Sequence, residues 1–494
     1  MKSHQYLAFD LGASNGRAFL GTLQGQSLQI KELSRFPNEM VGVRGRLHWN
    51  VIQLLQEIKR ALAICARDAT TQPESIGLDT WGVDFGLLAS DGGLLSLPVA
   101  YRDRRTEGAM EAFFRRVPRA RIYELTGVQL MAINTLFQLY AMVREELPLL
   151  KIASDLLLMP DLFSYLLTGQ KRAEFTIATT SQLYNPTKRG WDDELLSALG
   201  IPKTMLQEIV SPGTVVGRLD AEIAREAGLS QVPVMATASH DTGAAVAAAP
   251  AEGEEWAYIS SGTWSLMGVE TQRPIITEES LNLNFSNEGG VGGAFRVLKN
   301  IAGFWLLQQC RQAWAKDRVY SYQELTEMAR SAKGFASIIE PDHATFMNPP
   351  DMPEAICEFC RQTRQEPPGS PAEFVRCILV SLALKYRFVL EQLRRVNAHP
   401  IRTIHVIGGG SQNELLCQLT AEVTGIPVVA GPVEATVIGN MLVQAMGLGH
   451  VDSPSGIRAT VRESFPVKRY EPTGGQDWEE AYGRFHDLHE RCMN

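Results

Sequence analysis

The sequence predicts an α/β protein made of two similar halves that face one another across a cleft, and three observations carry that reading. Strand-then-turn signals alternate with helical patterns along the whole chain. Two small-residue hairpins, Asp10-Leu-Gly-Ala-Ser-Asn-Gly-Arg17 and Ser260-Ser-Gly-Thr-Trp-Ser265, stand near the start of each half. The length, 494 residues, exceeds what one hydrophobic core usually serves. Pro, Gly and acidic residues break the apolar pattern at Pro250–Glu255, which divides the chain into domains over 1–248 and 249–494.

The elements follow in order. Tyr6–Phe9 leads into the first glycine turn and Ala18–Leu20 leads out of it. Val51–Cys65 carries apolar residues at helical spacing. Ser75–Leu78 runs as a strand into Asp79-Thr-Trp-Gly-Val-Asp84, and Phe85–Val99 reads as a second hairpin turning at Asp91-Gly-Gly93. A mostly helical block spans Gly108–Leu167. Val232–Ala238 is a buried strand that delivers Ser239-His-Asp-Thr242 at its carboxyl end. The second half opens with the hairpin Trp256–Val269 and continues with helices over Phe304–Trp314 and Glu373–Val396. The strand Thr403–Ile407 then enters Gly408-Gly-Gly410, the helix Glu414–Thr424 leaves it, and Pro427–Ala430 precedes the small-residue helix Ala435–Gly447.

Composition excludes several classes. With 47 basic and 55 acidic residues, a net charge of −8 and no long basic run, a nucleic acid or anionic membrane has nothing to hold. No apolar stretch is long enough to span a bilayer, and the opening residues enter a strand without a signal-peptide pattern. Seven cysteines are few and odd in number, which suits a reducing cytoplasm. Cys357 and Cys360 have CxxC spacing but no second pair to complete a zinc site. Cys360 and Cys377 flank the turn Pro367-Pro-Gly-Ser-Pro371, so a disulfide between two helices stays open as an alternative.

The hairpins point to phosphate chemistry. Glycines let the backbone approach a ligand, and exposed N–H groups with Ser and Thr hydroxyls offer donors to phosphate oxygens. Asp10, at a strand end, is placed to hold hydrated Mg²⁺ through water. Asp241, also at a strand end, is the candidate proton acceptor for a hydroxyl attacking phosphorus; the competing reading is a helix cap. His240 offers a hydrogen bond to a sugar hydroxyl, with a purely structural histidine as the alternative. In Asp79–Asp84, Trp81 suits the apolar face of a sugar and Gly82 exposes backbone to its hydroxyls, with a core tryptophan as the alternative. Gly408–Gly410 after a strand is half a dinucleotide fingerprint or a seat for adenosine, with an ordinary tight turn between strand and helix as the alternative. Asp84-Phe-Gly86 and Tyr101-Arg-Asp103 mimic protein-kinase triplets in the wrong order, and the absence of any Gly-Lys dipeptide excludes a Walker A loop.

These residues resemble the FGGY carbohydrate kinases. The resemblance runs from about Tyr6 to about Gly449 through the two hairpins, Asp79–Phe85, Leu97-Pro-Val-Ala-Tyr-Arg-Asp103, Ser239–Thr242, Asn287-Glu-Gly-Gly290 and Val297-Leu-Lys-Asn300. It implies the two-domain actin-like (ribonuclease H-like) ATPase fold with the active site in the interdomain cleft. Within the family the residues are most similar to the branch that phosphorylates the 1-hydroxyl of L-rhamnulose with ATP and Mg²⁺. By that resemblance Ala13, Ser14, Asn15, Gly16 and Arg17 hold ATP phosphates, with Thr263, Gln308 and Gly410 completing the nucleotide site. Gly82, His240, Asp241, Thr242 and Asn300 bind the ketose, and Asp241 is the proton acceptor. Two positions depart from the wider family, Gln138 where a lysine is usual and Gly439-Asn-Met441 where Gly-Ala-Ala is usual, and both favour the narrower branch.

Three rivals stay open at the level of sequence. A kinase of another ketose or polyol, such as L-fuculose or xylulose, shares the mechanism and differs in the sugar pocket. An actin-like or chaperone-like ATPase turns over ATP without sugar. A dinucleotide-dependent oxidoreductase rests on Gly408–Gly410 alone.

Overall fold

Three antiparallel strands, Ser3–Leu11, Asn15–Gln24 and Ser27–Pro37, begin a six-stranded sheet in which Ser75–Thr80 and Pro233–His240 add parallel to the first and Thr214–Arg218 closes the far edge. In this computed structural model residues 2–67, 72–332, 334–474 and 478–493 are described. The sheet belongs to the first of two units, formed by Met1–Pro250, Glu270–Val297 and Ala435–Phe465; the second comprises Ala251–Val269, Leu298–Glu434 and Pro466–Asn494. Ser75–Thr80 is buried along its whole length, as a parallel strand covered on both faces must be. Ser27–Pro37 was not expected from sequence, because charged residues interrupt its alternation and half of it stays exposed at the sheet edge.

Helices of the first unit start where capping residues permit. Asn50 accepts from the Gln53 amide at 3.2 Å and opens Val51–Ala66. The helices Asp241–Ala247 and Ala435–Gly447 cross so closely that a Cβ on Gly439 would lie 1.8 Å from the Ala244 carbonyl oxygen. A helical insert, including Ala109–Phe114, Thr135–Arg144 and Met159–Thr168, closes over its own core of Phe113, Phe137 and Leu156. The hairpin expected over Phe85–Val99 forms only in part. Phe85–Leu88 pairs antiparallel with Asp155–Leu158, and the expected hairpin keeps a single Leu88–Leu94 bridge. The physical reason is burial: all four residues of Phe85–Leu88 are buried, and Leu156–Leu158 offers an apolar partner that the half-exposed Leu94–Ser96 segment does not.

The second unit repeats the strand plan. Its hairpin, Trp256–Ser261 and Trp264–Thr271, is flanked by Phe295–Ala302 on one side, with the parallel strands Thr403–Ile407 and Val428–Ala430 and then antiparallel Lys468–Tyr470 on the other. Ser370 caps the 26-residue helix Pro371–Val396, with proline at the first helical position where its missing N–H is harmless. No disulfide joins Cys360 to Cys377, whose thiols are both free, and burial pushes the Cys360 thiol up to about 11. Among the described residues no helix is long and apolar enough to cross a membrane.

Candidate active site

Strand register gathers the acids of the first unit. Asp10 lies opposite Asp79 across the parallel pair, and Leu11 and His240 both lie opposite Thr80. The three parallel strands therefore end together on Asp10, Asp79 and His240–Asp241, at the carboxyl edge where α/β sheets carry ligand sites. Asp241 is the first residue of its helix and accepts from its neighbour, the Thr242 amide, at 2.6 Å; the cap position is held by His240, without a side-chain cap. About a third of the Asp241 side chain (33%) reaches solvent. Burial, then the charge of Asp10, hold its carboxyl above the ordinary range against the opposing pull of His240 and the Thr242 amide. A carboxylate raised in this way is a better proton acceptor near neutral pH.

Asp79 is fully buried, with one oxygen unpartnered and the other accepting from Asn440 Nδ2 at 2.5 Å. Burial, and next the charge of Asp10, push its carboxyl well above the usual range. Gln444 Nε2 donates to Asn440 Oδ1 at 2.8 Å and to the Leu7 carbonyl at 3.1 Å, while Ser75 Oγ donates to Gln444 Oε1 at 2.7 Å. Gly77 makes room for this chain, since a Cβ there would lie 2.4 Å from Asn440 Oδ1. The unusual Asn440 thus has a physical role: it donates to a carboxyl that an alanine would leave without a partner.

His240 stands between two carboxylates. Its Nε2 lies 3.3 Å from Asp241 Oδ1 and its Nδ1 lies 3.3 Å from Glu288 Oε2. Arg296, with no exposed surface, reaches His240 Nδ1 at 3.1 Å and Glu288 at 3.3 Å, and its Nε donates to the Gly289 carbonyl at 2.9 Å. Burial works to raise the Glu288 carboxyl, but the bond to His240 and the charge of Arg296 outweigh it and the net shift is downward. Glu288 and Arg296 were not assigned a role from sequence; a charged pair flanking Gly289-Gly290 between apolar strands was the available signal.

Gly82 sits against Thr180, whose Oγ1 would lie 3.2 Å from an added Cβ and accepts from the Val83 amide at 3.2 Å. Val83 adopts φ +67°, a costly conformation for a β-branched residue. Asp84 fixes the turn by accepting from Trp49 Nε1 at 2.6 Å, Trp81 Nε1 at 3.0 Å, the Tyr101 amide at 3.1 Å and Gln138 Nε2 at 2.9 Å. Trp81 is 5% exposed and packs on Trp49 with ring centroids 4.2 Å apart, so the core reading of this tryptophan holds rather than the sugar platform. Gln138 is buried in the same network and accepts from Arg105 at 2.5 Å, which leaves no place for a lysine's charge beside that guanidinium.

In the first hairpin turn, Gly12 N donates to Asn15 O at 2.9 Å and Asn38 N to Ser14 O at 3.2 Å, which frames Ala13–Asn15. Gly16 is needed for packing, because a Cβ there would lie 2.1 Å from the Phe36 ring. Arg17 lies opposite Asp10 in the hairpin and forms an ion pair with it. The candidate phosphate ligand and the candidate metal ligand are therefore neutralised by each other in this state. The charge of Asp10 works to raise the carboxyls of both Asp79 and Asp241, and Asp10, at the strand end, offers the oxygen donors a hard divalent cation takes.

The second unit groups Thr263, Gln308 and Gly410 around the other hairpin. The Phe304 amide donates to Gly262 O at 3.0 Å and the Trp305 amide to Thr263 O at 3.1 Å, so the helix Trp305–Trp314 that carries Gln308 starts against the turn. Gly410 lies so close that a Cβ would meet Ser261 Oγ at 2.0 Å. Gly408, at φ +82°, turns the chain out of its strand. Asn300 stands on this unit in Phe295–Ala302, whereas Gly82, His240, Asp241 and Thr242 belong to the first.

Comparison with known proteins agrees over nearly the whole chain. Residues 5–247 match the N-terminal domain, and residues 257–448 the C-terminal domain, of the FGGY family of carbohydrate kinases. The chain is 48% identical to a protein named rhamnulokinase from Bacteroides thetaiotaomicron, over 97% of this chain and 98% of that one. It is 44% identical to a rhamnulokinase from Pectobacterium carotovorum, over 98% and 96%. A crystal structure of gluconate kinase from Lactobacillus acidophilus superposes with a TM-score of 0.80 at 15% identity, covering 100% of this chain and 97% of that one.

Proposed function

Because the chain belongs to the FGGY family of carbohydrate kinases and is itself a carbohydrate kinase, we propose that it transfers the γ-phosphoryl group of ATP to the 1-hydroxyl of L-rhamnulose, giving L-rhamnulose 1-phosphate and ADP. The observation that carries the choice of sugar is identity of 39–48% over nearly full length to proteins named rhamnulokinase. Kinase membership removes the oxidoreductase reading of Gly408–Gly410. Asp241 accepts the proton of the sugar hydroxyl as its oxygen bonds to phosphorus and the bond to the ADP oxygen breaks. His240 hydrogen-bonds the ketose and is kept in place by Glu288 and Arg296. Gly82, Thr242 and Asn300 complete the sugar site. Ala13–Arg17 and Thr263 supply donors to the phosphates, and Gln308 and Gly410 bound the nucleoside. Asp10 would hold Mg²⁺, which when bound neutralises charge on the phosphate oxygens. Arg17 would then exchange its ion pair with Asp10 for phosphate.

Release of ADP measured with L-rhamnulose, L-fuculose, D-xylulose and glycerol tests the assignment. L-rhamnulose should give the highest kcat/KM, with phosphorus NMR placing the product phosphate on C1. Preference for another acceptor would overturn the sugar, and equal turnover with no sugar would overturn the kinase mechanism.

A further inference from the structure

Six residues before Asp10, about 20 Å away along the same strand, a cluster with no part in phosphoryl transfer gathers three segments of the first unit. His4 is the second residue of the first strand, Glu74 immediately precedes Ser75–Thr80, and His450 follows the helix Ala435–Gly447. Gly449, at φ +77°, ends that helix and turns His450 back toward the sheet. His4 Nδ1 lies 2.8 Å from Glu74 Oε1, and His450 Nε2 lies 3.8 Å from Glu74 Oε2. One ligand atom from each residue lies within 4.8 Å of the other two. The side chains are 16%, 35% and 19% exposed, open enough for an ion to enter and buried enough to hold it.

We propose that His4, Glu74 and His450 form a binding site for one Zn²⁺ ion, separate from the Mg²⁺ used with ATP. Two imidazoles and a carboxylate are the donor set that zinc takes in three-ligand sites, with water in the fourth place. Mg²⁺ prefers oxygen donors and is discriminated against. A tetrahedral ion with bonds of about 2.0–2.1 Å needs its ligand atoms about 3.3 Å apart, so His4 and His450, whose rings now lie with centroids 3.6 Å apart and planes 31° apart, must swing apart for both lone pairs to point at one ion. The His4–Glu74 hydrogen bond gives way on binding, and His4 binds as the neutral tautomer that carries its proton on Nε2 and leaves the Nδ1 lone pair for the metal. Tyr6 supplies an outer partner, with its hydroxyl 2.7 Å from His450 Nδ1. That hydroxyl can accept from Nδ1–H, the tautomer that leaves the Nε2 lone pair free for metal.

The test uses the full-length enzyme, stripped with a chelator and dialysed into excess MgCl₂ to fill oxygen-ligand sites. Calorimetric titration with ZnCl₂ should show one equivalent bound. His4→Gln, Glu74→Gln and His450→Gln should each weaken binding at least tenfold, and Tyr6→Phe about tenfold. Saturating Zn²⁺ should raise the thermal midpoint of the wild type and leave that of the three ligand variants unmoved. Co²⁺ should give the visible bands of a nitrogen and oxygen site, without thiolate charge transfer. No saturable binding by about 100 μM Zn²⁺ would overturn the proposal, as would undiminished binding in the ligand variants or a thiolate spectrum placing the ion on cysteine. Metal-free variants with the wild-type thermal midpoint and wild-type turnover of L-rhamnulose keep the comparison free of folding effects.

Discussion

Asn440→Ala separates a structural pairing from mere sequence drift. Asn440 is fully buried, and its amide is the donor that reaches Asp79 Oδ2. With alanine in place, neither oxygen of Asp79 has a hydrogen-bond partner, because the other already lacks one. An unsatisfied buried acceptor costs about 1–3 kcal/mol. Losing the Gln444–Asn440 bond adds about 0.5–1 kcal/mol, and the vacated volume adds about 1 kcal/mol. A total of about 2.5–5 kcal/mol corresponds to a fall of roughly 5–15 °C in the thermal midpoint at about 2–3 °C per kcal/mol. The pH dependence has a definite sign. Asp79 has a raised folded-state pKa, so its contribution is present in full below the unfolded carboxylate range and is lost as pH rises through the folded value. Removing the amide that opposes the shift raises that pKa further, so the deficit should grow as pH rises through the wild-type folded value. Scanning calorimetry of wild type, Asn440→Ala, Asp79→Ala and the double variant closes a double-mutant cycle. Equal cost of Asn440→Ala with and without the Asp79 carboxyl would refute the pairing.

Other expectations concern the chemistry directly. Asp241→Asn should lower kcat by about 10² or more while calorimetry shows ATP and L-rhamnulose still bound, as follows from loss of a proton acceptor. Glu288→Gln should lower kcat about tenfold through loosened His240, whereas Glu288→Ala should destabilise the fold by about 3–5 kcal/mol in chemical denaturation, because Arg296 is left buried without its counter-charge. Thr263→Val should raise the KM for ATP more than that for the sugar in steady-state kinetics, through loss of a hydroxyl donor. Gly16→Ala should lower the thermal midpoint before any effect on ATP is read, since its Cβ meets the Phe36 ring at 2.1 Å.

What the sequence disclosed followed from local pattern. Both glycine hairpins, the strand entering Gly408 and the helices over Val51–Cys65, Glu414–Thr424 and Ala435–Gly447 are marked by periodicity and turn residues that act within a few positions. What stayed hidden depends on distant partners. Phe85–Leu88 has a turn signal beside it, yet its burial is met by Asp155–Leu158. Trp81 has the chemistry of a sugar platform, but an aspartate three residues on and a tryptophan from another segment draw it into the core. Glu288 and Arg296 look ordinary in a single sequence, and Asn440 stands out there only as a departure from the family, because their meaning lies in the side chains they meet across the first unit.

The discontinuous make-up of the first unit sets a schedule for its folding in the cell. Its opening 250 residues leave the ribosome without the helix Ala435–Gly447, whose Asn440 and Gln444 satisfy Asp79, Ser75 and Leu7. Roughly 200 further residues must be synthesised first, about 10–40 s at 5–20 residues per second. Throughout that interval the nascent sheet has an uncovered apolar face and an unpaired acid at its centre. Such a chain is a natural client for holding chaperones, and a fragment ending at Pro250 should be insoluble or partly folded when expressed alone, even though it ends at the limit of a compact segment.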